Sequence, residues 1–526
     1  MSPILSRSLA SAAAALGSAV LIVAAGAQPE RLVYVDTRIA APSCTTYESS
    51  ARACGRGAGT AFKTIAAAAA SAQSGTTVVI RDGTYREPLV PQNSGTADAP
   101  IVFKSAANES VVISDVDAPA IQIIARHYIT VDGLTVKNVT GWARLQDSTH
   151  IVIQHTSFSH STAPGTTGGL KVVRSSLNRI ADNRFEDGND DLLLQDSSNF
   201  NLVEGNTFAG AAHSLLSIRC ANVNAIRGNR FDNAVQKAIE IFDCEAVSDA
   251  PFQLDATKRN LIERNVFLRT RGSVSNYKYN AIQHGAQYTI VRRNVFSNAA
   301  GGGVNFQQYA SESLFVYGNR LYHNTFYSNR CFAIVGNRGA PKQYYDNRAL
   351  NNLLYLNRDC AGSGDQVSID DPAAVILTAN AVESRDPVFV DEHGGDFHLA
   401  PGSRMIDRAG ALTVTTSAGQ GTSIPVRDVL PFVDTVLVPG ESGDEIQLVG
   451  TTDRARVVRA VWDTQTLTLD RPLTWRLGQG IALAYAGLAP DFGAFEAQDP
   501  PLGWKPRIGA SVFDLGQPRL PMLPQR

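Results

Sequence analysis

Six side chains in the middle of the chain carry acid, base and carboxylate-gripping chemistry: Asp190, Asp191, His213, Arg219, Lys237 and Glu240. They recur at a nearly constant interval, since His213 follows Asp190 by 23 residues and Lys237 follows His213 by 24. A chain that coils once per such interval gathers them into one patch. In that patch Lys237 or His213 could take a proton from a carbon beside a carboxylate, while Arg219 grips the carboxylate with its planar fork. Asp190, Asp191 and Glu240 are oxygen donors suited to a hard cation such as Ca2+. Two carboxylates could instead serve as acid and base about a glycosidic bond.

The coil is written in the sequence as an Asn-x-Phe signature. It appears imperfectly at Thr156-Ser157-Phe158, then at Asn183-Arg184-Phe185, Asn206-Thr207-Phe208, Asn229-Arg230-Phe231, Asn265-Val266-Phe267, Asn294-Val295-Phe296 and Asn324-Thr325-Phe326. Successive Phe residues lie 27, 23, 23, 36, 29 and 30 apart. A 23-residue period fits one coil of a solenoid with three short strands, and longer intervals mean inserted loops. Stacked Asn side chains can pair turn backbone that would otherwise stay unbonded, with Phe filling the interior behind them. Alternating runs such as Ile239-Glu240-Ile241 have the period of a strand, not of a helix. The predicted architecture is an all-β parallel β-helix.

Aligning coils on Phe projects one outward row of Lys171, Leu194, Ser217 and Glu240, continued by Gln283 and Asn305, and a second of Val173, Asp196, Arg219 and Phe242. At the strand entry Asp190 and Asp191 fall below His213 and Ser214, which fall below Gln236 and Lys237. Lys171, Gln283, His284 and Asn305 then extend a substrate groove, with Tyr277 and Tyr279 as a sugar-stacking platform. A register error of one residue would turn alternate members inward. Each member also has a plainer role: Asp190-Asp191 as turn residues after Gly188-Asn189, His213 as a strand cap, the lysines as solvated charges, and Arg219 as partner to Asp196.

Both ends fit a solenoid. Phe62-Lys63-Thr64-Ile65 and the alanines to Ala72 predict a short helix capping the first coil, followed by strand, turn and strand from Thr77 to Glu87. From Ala411 to Tyr485 the texture changes to short β-segments with charged turns, read as a small β-domain inserted at 411–487. The solenoid is placed at 28–410, closed by 488–498, with an irregular tail at 499–526. The first 27 residues have a positive start, an apolar stretch and a small-residue exit at Ala25-Gly26-Ala27, the pattern of a signal peptide cleaved near Ala27. The mature chain is thus expected to be secreted or periplasmic, with no membrane insertion. Six cysteines suit that setting, with Cys44 and Cys54 close enough to bridge locally, and Cys220 with Cys244 and Cys331 with Cys360 about one coil apart. A formal charge of -2 argues against nucleic acid. No phosphate loop, zinc-spaced Cys/His set or Gly-x-Ser-x-Gly elbow occurs.

Taken together, the Thr60 to Glu87 start, the Asn-x-Phe coils, and the closing Leu399-Ala400-Pro401-Gly402-Ser403 and Asp491-Phe492-Gly493-Ala494-Phe495-Glu496 resemble the superfamily of secreted right-handed parallel β-helix proteins. Polysaccharide lyases and several glycoside hydrolase families belong to that superfamily. The resemblance implies an outward groove on one strand stack. It implies, for a lyase, acidic calcium ligands (here Asp190, Asp191 and Glu240) and a catalytic Lys or Arg acting on an acidic polysaccharide. Gly188-Asn189-Asp190-Asp191 with His213 is also similar to the polygalacturonase pattern, but an aspartate near Gly168 to Leu170 and a following Arg-Ile-Lys are missing. A polysaccharide lyase working as a monomer is the leading expectation. A hydrolase or uronate epimerase is the alternative, and a non-catalytic carbohydrate-binding solenoid is the third.

Overall fold

A computed structural model describes residues 31–162, 168–242, 259–271, 279–307, 315–337, 343–438 and 440–500. The signal-peptide segment, Cys244, Tyr277 and the tail beyond residue 500 lie outside the described residues.

The chain winds as a right-handed parallel β-helix. Three stacked sheets run along it, of 15, 12 and 10 strands. Each coil visits them in fixed order: a strand of the 10-stranded sheet (Ser214–Arg219, for example), one of the 15-stranded sheet (Ala225–Arg227), and one of the 12-stranded sheet (Arg230–Asp232). We call the first of these the site sheet and the second the long sheet.

The Asn-x-Phe signature marks the corner between the long sheet and the 12-stranded one. The residue before each Asn adopts a left-handed conformation, with φ of 55° at Asp182, 65° at Gly205, 59° at Gly228, 54° at Arg264, 53° at Arg293 and 51° at His323. That turn points the Asn side chain along the axis. Asn206 donates its Nδ2 to Asn229 Oδ1 (3.0 Å) and to the Ile180 carbonyl (2.8 Å), and its Oδ1 accepts from Asn183 N (2.9 Å) and Nδ2 (3.0 Å). Thr156, in the imperfect first repeat, joins the same column by donating its backbone N–H to Asn183 Oδ1. Behind the ladder Phe158, Phe185, Phe208, Phe231, Phe267, Phe296 and Phe326 stack with centroids 4.6 to 5.0 Å apart, all fully buried or nearly so. A second ladder, Asn178, Asn201, Asn224 and Asn260, serves the corner between the site sheet and the long sheet.

At the N-terminus the helix Ile65–Ser71 forms as predicted, capped by the Thr64 hydroxyl, which accepts from Ala67 N. Ile65, Ala68 and Ala69 cover the first coil and belong to the main core. The Cys44–Cys54 and Cys331–Cys360 disulfides are formed, and Cys220 is buried. Residues 413–483 form a six-stranded antiparallel sheet. It packs on the outer face of the long sheet, where Ala225, Leu261, Ile290 and Tyr322 join its apolar core. Arg292 is paired with Asp444 (2.6 Å) and Arg320 with Asp428 (2.8 Å) across that seam. The inserted unit is therefore neither a cover for the site sheet nor an end cap.

The chain then returns to the solenoid through Asp491–Glu496. Ala494 N donates to Thr325 Oγ1 (3.0 Å), and Asp491 accepts from Asp407 N and Ala497 N, both at 2.7 Å. Burial and the neighbouring Asp491 push Glu496 up to about 7.

Two outcomes test this account. Asn229→Ala removes an amide that makes one bond up the ladder and one to the Val203 carbonyl (2.9 Å), and leaves Asn206 N–H without its acceptor. It should cost about 2–3 kcal/mol, read as a lower urea midpoint, because buried partners are left unsatisfied. An unchanged midpoint would refute the ladder's role. For Glu496, the folded protein keeps a proton that the unfolded chain has released between about pH 4.5 and 7, so its contribution is present below that window and lost through it. Glu496→Gln should therefore gain in melting temperature relative to the parent as pH rises from 4.5 to 7. A constant difference across the series would contradict the assignment.

Candidate active site

Strands of the site sheet alternate as expected in their second halves, with Leu216 and Ile218 buried inward and Ser217 between them. At the strand entry the alternation breaks. Leu215 and Leu216 both enter the core, as do Ala238 and Ile239, so two consecutive residues face inward on each coil. With that pair turned inward, Ser214 and Lys237 are left on the outer side, where both reach Glu240. Asp190, Ser214 and Lys237 are register partners on three successive coils.

The bonds within this column are specific. His213 Nδ1 lies 2.8 Å from Asp190 Oδ1, which also accepts from Ser214 N at 3.1 Å. Ser214 Oγ donates to Glu240 Oε2 at 3.2 Å, and His213 Nε2 stands 3.8 Å from the same oxygen. Lys237 Nζ pairs with Glu240 Oε1. Glu240 is buried, and that burial raises its carboxyl above the usual range against the opposing pull of Lys237 and His213. His213 remains partly exposed, and its bond to Asp190 raises it above the ordinary imidazole value. Asp190 as acceptor sets the tautomer, so the proton sits on Nδ1 and Nε2 presents a lone pair when the ring is neutral. The cluster can hold a base, an acid and a fixed ammonium within one side chain's reach of each other.

Lys171 stands on the outer face beside Arg144, its register partner one coil before, and is half-buried. Burial and the Arg144 charge lower its ammonium below the usual lysine range. Arg219 is exposed, with no ion pair among the described residues, so the expected pairing with Asp196 does not form. It lies five residues along the strand from Ser214, about 17 Å away at the strand's rise per residue, so it faces the same groove from the far edge.

The projected register needs correction. Lys171 faces Leu193, not Leu194, and Leu193 faces Ser217. Arg219 faces Gln195, not Asp196, and Asp190 faces Ser214, not His213. The Phe ruler is exact only on its own sheet. Between Lys171 and Ser217 one coil takes 22 residues and the next 24, because corner loops absorb the difference.

Several expected members leave the groove. Asp191 is wholly buried, its Oδ1 accepting from Gly188 N (3.1 Å) and its Oδ2 without a partner, and burial raises it well above the carboxylate range. His284 belongs to an inward column with Ile241 and Phe306, where burial pushes it down to about 3 and keeps it neutral, so it cannot contact a substrate from there. Gln283 and Asn305 continue the outward row beyond Glu240 but are fully buried, both donating to Gln307 Oε1 at 2.8 and 3.1 Å. They form a closed polar layer, not an open groove wall. Tyr279 stands half-buried three residues before the Ile282–Gly285 strand.

The three acids expected to share calcium do not fit it. Asp191 is turned inward, Asp190 Oδ1 is taken by His213 and Ser214, and Glu240 bonds Ser214 and Lys237. Among the described residues no three His, Cys, Asp or Glu side chains are placed to hold a metal ion.

Ser214, which links the histidine to the glutamate, was not singled out for chemistry because a serine between His213 and Leu215 has no chemical signature until its register is known. Asn280 was missed too. It is fully buried with both amide atoms unpartnered, one coil beyond Lys237, as the bonds from Ala238 N (3.1 Å) and Ile239 N (2.8 Å) to the Ala281 carbonyl show. Irregular coil length hid that alignment.

Residues 101–248 match the family described as "Right handed beta helix region". Over 86 residues the chain is 42% identical to the "Uncharacterized protein YwoF" of Bacillus subtilis (strain 168), which covers 15% of this chain and 18% of that protein. Solved structures with a similar course include an alginate lyase from Paenibacillus sp. str. FPU-7, with 15% identity, 59% of this chain and 97% of that one covered, and a TM-score of 0.38. Pectate lyase Pel9A gives 15% identity, 90% and 97% covered, and 0.40. A GH136 lacto-N-biosidase from Eubacterium ramulus gives 12% identity, 67% and 68% covered, and 0.43. Likenesses at this level carry no argument about the reaction. No helix among the described residues is long and apolar enough to cross a membrane.

The Asp190–His213 bond has a direct readout. Asp190→Asn should lower the His213 titration midpoint toward or below the ordinary value, followed by the imidazole proton shifts in NMR against pH. An unmoved midpoint would mean that the bond does not set the histidine's basicity.

Proposed function

We propose that this chain is an exported carbohydrate-active enzyme that cleaves a uronic-acid-containing polysaccharide by β-elimination, with His213 as the base. The observation that carries the reading is the Asp190–His213 pair on the outer side of the site sheet, with the partly exposed imidazole's Nε2 turned toward the Glu240–Lys237 pair. Two disulfides support an oxidising destination.

In this reading a uronate lies along the site strand with its C5 hydrogen toward His213 Nε2. The imidazole takes that proton, the electron pair forms the C4–C5 double bond, and the C4–O glycosidic bond breaks. The departing oxygen takes a proton from the Lys237 ammonium, which its pairing with Glu240 holds in place; His213, not Lys237, is the base in this reading. Lys171, Arg144 and Arg219 supply positive charge along the groove for the polymer's carboxylates. Because the donor set does not fit calcium, no step passes through a cation.

A second reading rests on Glu240. A buried carboxyl raised by its surroundings is suited to be a general acid, and Asp190 on the neighbouring column would complete an acid pair for hydrolysis.

The test is a screen of alginate, pectate, glycosaminoglycans and neutral glycans, read for both new ultraviolet absorbance of an unsaturated uronate and reducing ends. Elimination predicts both signals on an acidic polymer, a loss of 100-fold or more in His213→Ala, and little change on chelation. Reducing ends without the absorbance would overturn elimination in favour of hydrolysis. Full activity in His213→Ala would remove the histidine from the mechanism. Abolition by a chelator would contradict the calcium-free route.

A further inference from the structure

Outside the cluster, four aromatic rings form a column on the surface of the solenoid. Trp462 of the inserted unit packs on Tyr288 with centroids 4.7 Å apart, Tyr288 meets Tyr317 edge-on at 5.2 Å, and Tyr317 stacks on Tyr345 at 4.7 Å with planes only 5° apart. The Arg259 guanidinium lies over Trp462, 4.5 Å from the ring centroid. The column climbs the coils one ring at a time: Tyr288 N donates to the Tyr317 carbonyl at 3.0 Å, and Tyr317 and Tyr345 are register partners in the parallel strands Phe315–Tyr317 and Gln343–Tyr345. Gly318 makes room for it, because a Cβ there would come within 2.5 Å of Tyr288 Cδ1 and expel the ring.

This column differs from the Phe stack inside the solenoid. The phenylalanines are sealed from solvent, whereas Tyr345 is 48% exposed and Tyr288 and Tyr317 are half-exposed. Among the described residues the far face of Tyr345 has no ring against it. The rings are phenols, with an apolar face and a polar tip, at a surface where aliphatic residues would serve packing equally well.

Its place in the coil is also informative. The strands that carry Tyr317 and Tyr345 connect the exit end of the site sheet to the long sheet. A polymer crossing the site strand from His213 past Ser217 and Arg219 reaches this edge of the solenoid, with Tyr288 two coils and Tyr345 four coils further along the axis. For Tyr345 that is about 19 Å at the spacing of adjacent strands, so an extended chain that turns along the axis would span both. We infer that the Tyr288–Tyr317–Tyr345 column is a second carbohydrate-binding surface, on which a sugar ring stacks against the free face of Tyr345 while the tyrosine edges offer hydroxyls to its neighbours. The occupant is a stretch of the same polysaccharide beyond the cleavage point, so this inference rests on the function proposed above.

Binding separates from cleavage in native gels cast with alginate, polygalacturonate or a neutral glycan, using full-length protein in the His213→Ala background so that no polymer is consumed. The background protein should be retarded by at least one of these, and Tyr345→Ala should weaken that retardation about 3- to 10-fold, the range expected for one aromatic contact. Tyr345→Phe should retain most of it, and circular dichroism should show both variants folded. With His213 intact, Tyr345→Ala should raise KM on polymer and leave turnover of short oligosaccharides unchanged. Retardation that ignores Tyr345→Ala, or no retardation of the background protein on any of the three, overturns the surface. If nothing is cleaved yet Tyr345-dependent retardation persists, the binding surface stands and the lyase reading falls.

Discussion

A solenoid must bury the backbone of every corner, and each corner exposes amide groups that no strand partner reaches. Buried N–H and C=O groups left unpaired cost about as much as the bonds they lack. The asparagine ladders meet this constraint. A primary amide both donates and accepts, so one side chain can bond the backbone of its own corner and the side chain of the next coil. Each Asn depends on its neighbours above and below, which holds the coils in step over the length of the solenoid. The Phe stack follows as the apolar filling behind corners already fixed in space.

The same constraint explains why the site sheet is less regular than the corners. Register is pinned at Asn and Phe, so a coil with a residue more or fewer must absorb the difference elsewhere. It does so in the corner loops, while at the entry to the site sheet paired inward residues such as Leu215 and Leu216 replace strict alternation in unbroken register with the next coil. That break in alternation turns Ser214 and Lys237 outward and seats them against Glu240. A buried Lys–Glu pair gains little net stability, since desolvation offsets most of the attraction. Its position beside an Asp-oriented histidine is better explained by chemistry than by folding.

Placement of the inserted unit keeps that face available. Its core is completed by residues of the long sheet, and paired arginines at 227, 292 and 320 lock the seam. The only part of it that bears on carbohydrate in our reading is Trp462, at the foot of the tyrosine column. In our reading one face presents the His213 cluster and a line of cations, with the aromatic corner two to four coils further along the axis.

How much of this was legible depends on which periodicity carried it. The ladder, the Phe stack, the capping helix at Ile65–Ser71 and the inserted β-unit could all be read directly, because each rests on local pattern or on a repeat held by strict geometry. The gathering of Asp190, His213, Lys237 and Glu240 was legible as well, since they sit on three successive coils set 24 and 23 residues apart. The direction of individual side chains was not. Asp191 and His284 read as groove residues and turned inward, Gln283 and Asn305 read as open and were sealed, and Ser214 and Asn280 carried no signal. A break in alternation reverses the inside and outside of a strand without changing its composition, and an inserted loop shifts register by a number of residues that only the bonds between coils reveal. The sequence by itself determined a stack of coils and which coils meet. Tertiary structure alone decided which side chains face outward, because that choice is made by strand pairing between residues 23 to 43 apart.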